Sequence, residues 1–156
     1  LENTLLITIQ MRVSMAKNFK FQLKVYYEDT DAGGIVYYAN YLKYLERART
    51  EMIYSLGLSH SILKEKYGFQ IVVSNCNIAF KKSAHFEDNL KIDTELKSLS
   101  VVKLEMHQKI YKLASIKTKN SEKMLVDGKI TLACINDSGK PHKMPEEAFA
   151  LFKSCY

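Results

Sequence analysis

The run Val25-Tyr26-Tyr27-Glu28-Asp29-Thr30-Asp31-Ala32-Gly33-Gly34-Ile35-Val36-Tyr37-Tyr38-Ala39-Asn40-Tyr41 concentrates residues that can do chemistry. Three acids, Glu28, Asp29 and Asp31, fall within four positions at the end of a strand-like stretch. Gly33-Gly34 then turns the chain, and an aromatic segment opens a helix. Such a layout sets a carboxylate beside the amino end of a helix. A carboxylate there can act as nucleophile or general base, and an unpaired backbone N–H can hold a developing oxyanion. The helix dipole adds roughly half a positive charge at that end. Acids in such loops also serve as turn or helix caps, which is the reading for Glu28 and Asp29.

The flanking elements must position these groups. Phe19 to Tyr26 alternates apolar and polar residues, as a half-buried strand does. Tyr38 to Leu56 reads as a long helix. Its stripe of Tyr41, Tyr44, Leu45, Ala48, Met52 and Leu56 recurs at helical spacing. Arg47 and Glu51 are spaced to pair on another face, and Gly57 supplies a stop. His60 to Tyr67 predicts a short second helix. Period two then takes over in Phe69–Phe80, Asn89–Leu99, Val101–Leu113 and Lys123–Ile135, the last with a bulge expected near Gly128. Asn136 to Pro141 is a turn cluster, and Pro145 to Phe152 a terminal helix opened by proline. A strand, a long helix and four successive strands predict an α+β domain, its antiparallel sheet wrapped around the helix.

The run from Val25 to Tyr41 resembles, nearly residue for residue, the signature of the 4-hydroxybenzoyl-CoA thioesterase family. Within that family it is most similar to acyl-CoA thioesterases of the Tol–Pal-associated type. The resemblance implies the hotdog fold, with about five strands around one central helix. It implies a single hotdog domain over residues 19–156; the methionines just upstream of the first strand, Met11 and Met15, predict that residues 1–18 form a poorly ordered N-terminal extension. It further implies a cofactor-free bacterial enzyme that hydrolyses an acyl-CoA to free acid and CoA, working as a homo-oligomer, a dimer or homotetramer. Asp31 matches the family's catalytic carboxylate, acting as nucleophile or as general base. The backbone N–H of Tyr38 takes the oxyanion role. Tyr27 matches an active-site tyrosine that orients the carboxylate or binds substrate; packing at a strand end is the plainer account of it.

Tyr38 departs from the pattern, because relatives frequently carry His there. A phenol is a far weaker acid at neutral pH. The departure touches a side-chain role and leaves the backbone role intact. Tyr37, Tyr38, Tyr41 and Tyr44 could line an acyl pocket, with helix packing the simpler reading for Tyr41 and Tyr44. Asn40 is read as a cap at the helix start, and Arg47 and Arg49 as partners of nearby acids.

Composition bounds the rest. The chain has 156 residues, enough for one domain with a real core. Its net charge of +6 suits either a phosphate-bearing partner such as CoA or a solvated surface. Lys97, Lys103, Lys140 and Lys143 are each read as solvated. Cys76, Cys134 and Cys155 are widely spaced and odd in number, which argues for a reducing, cytoplasmic setting without disulfides. No apolar run reaches the roughly 20 residues of a membrane span. Met11 and Met15 stand just before the first strand and are candidate starts. No Gly-x-Ser-x-Gly elbow supports a serine hydrolase. His60, His85, His107 and His142 lack metal-ligand spacing, so no metal is expected. Three rivals remain in view. One is a non-catalytic hotdog module that binds acyl-CoA or acyl carrier protein. Another is a hotdog dehydratase, disfavoured because no His lies between residues 20 and 59. A nucleic-acid binder rests on charge alone.

Overall fold

All the period-two segments join one antiparallel sheet in the computed structural model, which describes residues 18–114 and 122–156. The proposed extension over residues 1–18 therefore falls outside the described residues except for Asn18, the first residue of β1. The strands are β1 (Asn18–Lys24), β2 (Gln70–Phe80), β3 (Asn89–Leu99), β4 (Lys103–Lys112) and β5 (Lys123–Ile135). The helices are α1 (Asn40–Ser55), α2 (His60–Glu65) and α3 (Glu146–Lys153). Spatial order is β1-β3-β4-β5-β2, so the two strands that flank α1 and α2 in sequence lie at opposite edges. The fold is α+β, a five-stranded antiparallel sheet with the long helix against it.

Burial explains the pairing. Leu90, Ile92, Thr94 and Leu96 of β3 and Leu104, Met106, Gln108 and Ile110 of β4 alternate inward, while their neighbours face away. Tyr41, Tyr44, Leu45, Ala48, Met52 and Ile53 of α1 join them in a single core. The helix stripe expected from spacing is thus the buried face. The bulge in β5 falls at Leu125, an extra residue between the Tyr111–Met124 and Ile110–Val126 pairs. It lets Leu125 and Val126, adjacent in sequence, both be buried. Gly128 itself stays in register, opposite Gln108 and Ile78.

The cap and ion-pair expectations on α1 are corrected. Asn40 is the first residue inside the helix, Ala39 holds the cap position, and no side chain caps that end. The helix starts two residues later than spacing predicts, because Tyr38 and Ala39 form a preceding turn. Arg49 donates to the amide oxygen of Gln108 at 2.8 Å and pairs with no acid among the described residues. Arg47 lies over the Tyr44 ring, 6.0 Å from its centroid, and forms no ion pair with Glu51 among the described residues.

On the sheet face opposite the core, the ring of His107 on β4 hydrogen-bonds the Asp127 carboxylate of β5. The His107 hydrogen bond holds the Asp127 carboxyl below the usual carboxylate range, against a smaller upward push from burial. A depressed folded-state pKa contributes stability that is present above the unfolded value of about 4 and is lost as pH falls through the folded value. The pair is partly exposed, so screening limits it to below about 1 kcal/mol. Asp127→Asn should therefore be slightly less stable than wild type at pH 6. The gap should close below about pH 4 in thermal melts across pH.

Candidate active site

Between β1 and α1 the chain makes two tight turns, and each sets one group. Tyr27–Asp29 form a single 3-10 turn. Asp29 is buried, and its Oδ2 accepts the Tyr26 N–H at 2.8 Å. The cap reading for Asp29 therefore holds in kind, although the turn it caps is its own. Thr30 closes the turn by donating its N–H and hydroxyl to the Tyr27 carbonyl.

The second turn carries Asp31. Its N–H donates to the Ile35 carbonyl at 2.9 Å, and its own carbonyl accepts from Gly34 at 2.9 Å. Oδ1 accepts the Gly33 N–H at 2.8 Å. Oδ2 accepts no hydrogen bond among the described residues, and the side chain lies in an exposed loop. One carboxylate oxygen is thus tethered and the other left open. Both glycines have a physical reason. A Cβ on Gly33 would sit 3.1 Å from Asp31 Oδ1, and Gly34 has φ +75°, which side-chain-bearing residues adopt at a cost of roughly 1 kcal/mol.

Tyr38 stands at the entrance to α1. The first helical amides are taken up by a tight start: Asn40 donates to Tyr37, Tyr41 to Tyr38 and Leu42 to Ala39, at 2.9, 3.3 and 3.2 Å. Tyr37 N–H donates to the Asp29 carbonyl at 2.9 Å. The amides of Tyr38 and Ala39 donate to no protein group among the described residues. They are open donors at the positive end of a 16-residue helix. The structure places Asp31 and Tyr38 on adjoining turns and leaves each with one free group.

Tyr27 is differently placed. Its ring is 80% exposed and packs edge-on against Phe86, with centroids 5.9 Å apart. Its phenol makes no hydrogen bond to Asp31. Tyr38 packs edge-on against Phe80 at 6.1 Å and against Tyr37 at 4.9 Å. Its hydroxyl raises the Tyr37 phenol above the usual range, and the Asp31 charge adds a smaller push. Tyr41 and Tyr44 are core residues, as packing predicts. Tyr41 still reaches the site's far wall, because its hydroxyl accepts the Ala84 N–H at 2.9 Å and pins the segment between Phe80 and Phe86. Those two exposed phenylalanines were not legible as site residues, since they lie about 50 positions from Asp31 and join it only through the fold.

Comparison with known proteins places this geometry. The Thioesterase-like superfamily matches residues 25–152. An acyl-CoA thioesterase, YbgC, of Haemophilus influenzae is 35% identical over 136 residues, covering 86% of this chain and 93% of that protein. The crystal structure of a probable thioesterase from Bartonella henselae is 32% identical, with a TM-score of 0.71, covering 82% of this chain and 99% of that one. The 4-hydroxybenzoyl CoA thioesterase of Pseudomonas sp. strain CBS-3 shares the fold, with a TM-score of 0.78 at 19% identity over 87% of this chain and 99% of that one. The matched region runs from the end of β1 through α3 and takes in both turns, so this chain belongs to the Thioesterase-like superfamily, of hotdog fold.

Proposed function

We propose that this chain is an acyl-CoA thioesterase, hydrolysing an acyl-CoA to the free acid and CoA. The observation that carries this reading is the open Oδ2 of Asp31 on the turn adjoining the open amide of Tyr38. Asp31 supplies the carboxylate. As nucleophile it attacks the thioester carbonyl and expels the CoA thiolate, and water then cleaves the acyl-aspartate. As general base it takes a proton from the water that attacks the carbonyl directly. On either route the carbonyl oxygen gains negative charge, and the Tyr38 N–H donates to it. Tyr27, Tyr38, Phe80 and Phe86 offer exposed aromatic surface to the acyl group. The exposed Tyr27 phenol, which makes no hydrogen bond to Asp31, is assigned to substrate binding rather than to carboxylate orientation.

The same reading includes self-association. β2 is an edge strand whose residues Val72 to Asn77 are exposed on both faces. An unpaired edge with exposed Val72 and Val73 is a template for a second copy. Leu42 and Tyr54 are exposed on the outer side of α1 and offer apolar surface for pairing dimers into tetramers. A cytoplasmic location fits three free thiols, of which burial pushes Cys134 up to about 11 and raises Cys155. No helix among the described residues is long and apolar enough to cross a membrane.

The test is thiol release from a panel of acyl-CoAs, short, long and aromatic, with light scattering to fix the oligomeric state. Turnover on at least one ester is expected. A folded oligomer inactive on every CoA ester but active on an acylated carrier protein would shift the substrate class. Inactivity on both would favour the binding-module reading.

A further inference from the structure

The two turns of the site do not hold themselves. The Asp29 main-chain carbonyl accepts two hydrogen bonds, from the Tyr37 N–H and from the Asn40 side-chain amide, both at 2.9 Å. The Asn40 bond spans eleven positions and is buried. It ties the turn preceding Asp31 to the first residue of α1. Asp29 and Asn40 are each 8% exposed, whereas Asp31 and Tyr38 lie on the surface. Beneath them the Tyr44 hydroxyl is buried without a hydrogen-bond partner. Burial, then the Asp29 charge, push its phenol well above the usual range. A carboxylate and a carboxamide held below a surface site act on the backbone rather than on substrate.

We propose that Asp29 and Asn40 are positioning residues of this site. Together they form a buried brace that sets the spacing between the Asp31 carboxylate and the Tyr38 amide. Asn40 donates to the Asp29 carbonyl and so fixes the turn to the helix. That carbonyl takes up the Tyr37 N–H, so the open amides at the head of α1 begin at Tyr38, with Ala39 following. The Asp29 carboxylate holds the Tyr26 N–H and keeps the preceding turn closed. Asn40 therefore acts through its amide donor rather than as a helix cap. This inference rests on the thioesterase reading for its kinetic consequence, but not for its structural one.

Two measurements test it. On the best ester of the panel, Asn40→Ala and Asp29→Ala should each lower kcat about 10-fold or more with KM within roughly 3-fold. Misplacement of a reacting group by about 1 Å can cost up to ~100-fold. Asp29→Asn keeps an oxygen that accepts the Tyr26 N–H, so it should recover most of what Asp29→Ala loses. By amide exchange, Tyr37 should lose protection in Asn40→Ala while Leu45, deeper in α1, keeps it. Unchanged kcat in folded Asn40→Ala overturns the proposal. So does a rise in KM alone, which would make Asn40 a substrate contact. If Asn40→Ala does not fold, Asp29→Ala against Asp29→Asn decides by the same kcat criterion. A wild type inactive on every ester would sink the thioesterase reading, and the exchange result would still decide the brace: retained Tyr37 protection overturns it.

Discussion

Asp31→Asn should lower kcat by about 100-fold or more, with fold and oligomeric state unchanged. The substitution is nearly isosteric. The amide oxygen can still accept the Gly33 N–H, so the turn keeps its 2.8 Å tether. What disappears is the negative charge and the open lone pair at Oδ2. An amide neither attacks a thioester at a useful rate nor takes a proton from water at neutral pH. The Tyr38 N–H remains and continues to polarise the carbonyl, so residual activity above background is expected rather than none. The readout is thiol release under saturating acyl-CoA, beside circular dichroism of the same samples. Equal kcat in both proteins would remove Asp31 from the mechanism and leave the fold standing. A rise in KM at constant kcat would make Asp31 a binding group.

The largest expected stability effect lies inside the sheet. Gln108 of β4 is fully buried. Its Nε2 donates to the Leu45 carbonyl of α1 at 3.0 Å and to Thr94 Oγ1 of β3 at 2.9 Å. Its Oε1 accepts from Arg49 at 2.8 Å. One amide therefore ties the central helix to two strands. Burial already lowers the Arg49 pKa, so this guanidinium has little water to turn to. Gln108→Leu keeps the volume and removes every partner. Thr94 and Arg49 are then left with unmet groups, each costing about 1–3 kcal/mol. The expected loss is about 3 kcal/mol, or roughly 10 °C in Tm for a domain of this size. Adding Arg49→Leu should restore part of it, because an apolar replacement of a whole network is far less costly than breaking it. A single-mutant loss below about 1 kcal/mol would show that the network is not needed for stability. Since Leu45 lies one turn and a half from Asn40, a helix loosened here also moves Tyr38.

Much of this molecule is written locally. β3 and β5 occupy the spans that alternation predicts, and α1 buries the stripe that helical spacing predicts. Those outcomes depend on residues a few positions apart, where side-chain period and backbone geometry are coupled directly. The turn that carries Asp31 was legible for the same reason. Gly33 and Gly34 meet two distinct local demands, room beside Oδ1 and a left-handed φ.

Where contacts are long-range, residue type misled. Asn40 has the chemistry of a cap but sits one residue inside the helix and reaches back to Asp29. Arg49 has the charge for an acid but finds a buried amide 59 positions away. Phe80 and Phe86 carry no signature, yet they pack against the Tyr38 and Tyr27 rings.

The elements, the buried stripe and the carboxylate turn each follow from residue spacing within one segment. The strand order β1-β3-β4-β5-β2, which leaves β2 as an open edge, comes instead from pairing between segments far apart in the chain. Tertiary packing also sets where the free amides at the head of α1 begin, at Tyr38 rather than at Tyr37. That choice belongs to the Asp29 carbonyl, which takes the Tyr37 N–H and is itself held by Asn40, and no local pattern encodes a hydrogen bond made across a turn and a helix start.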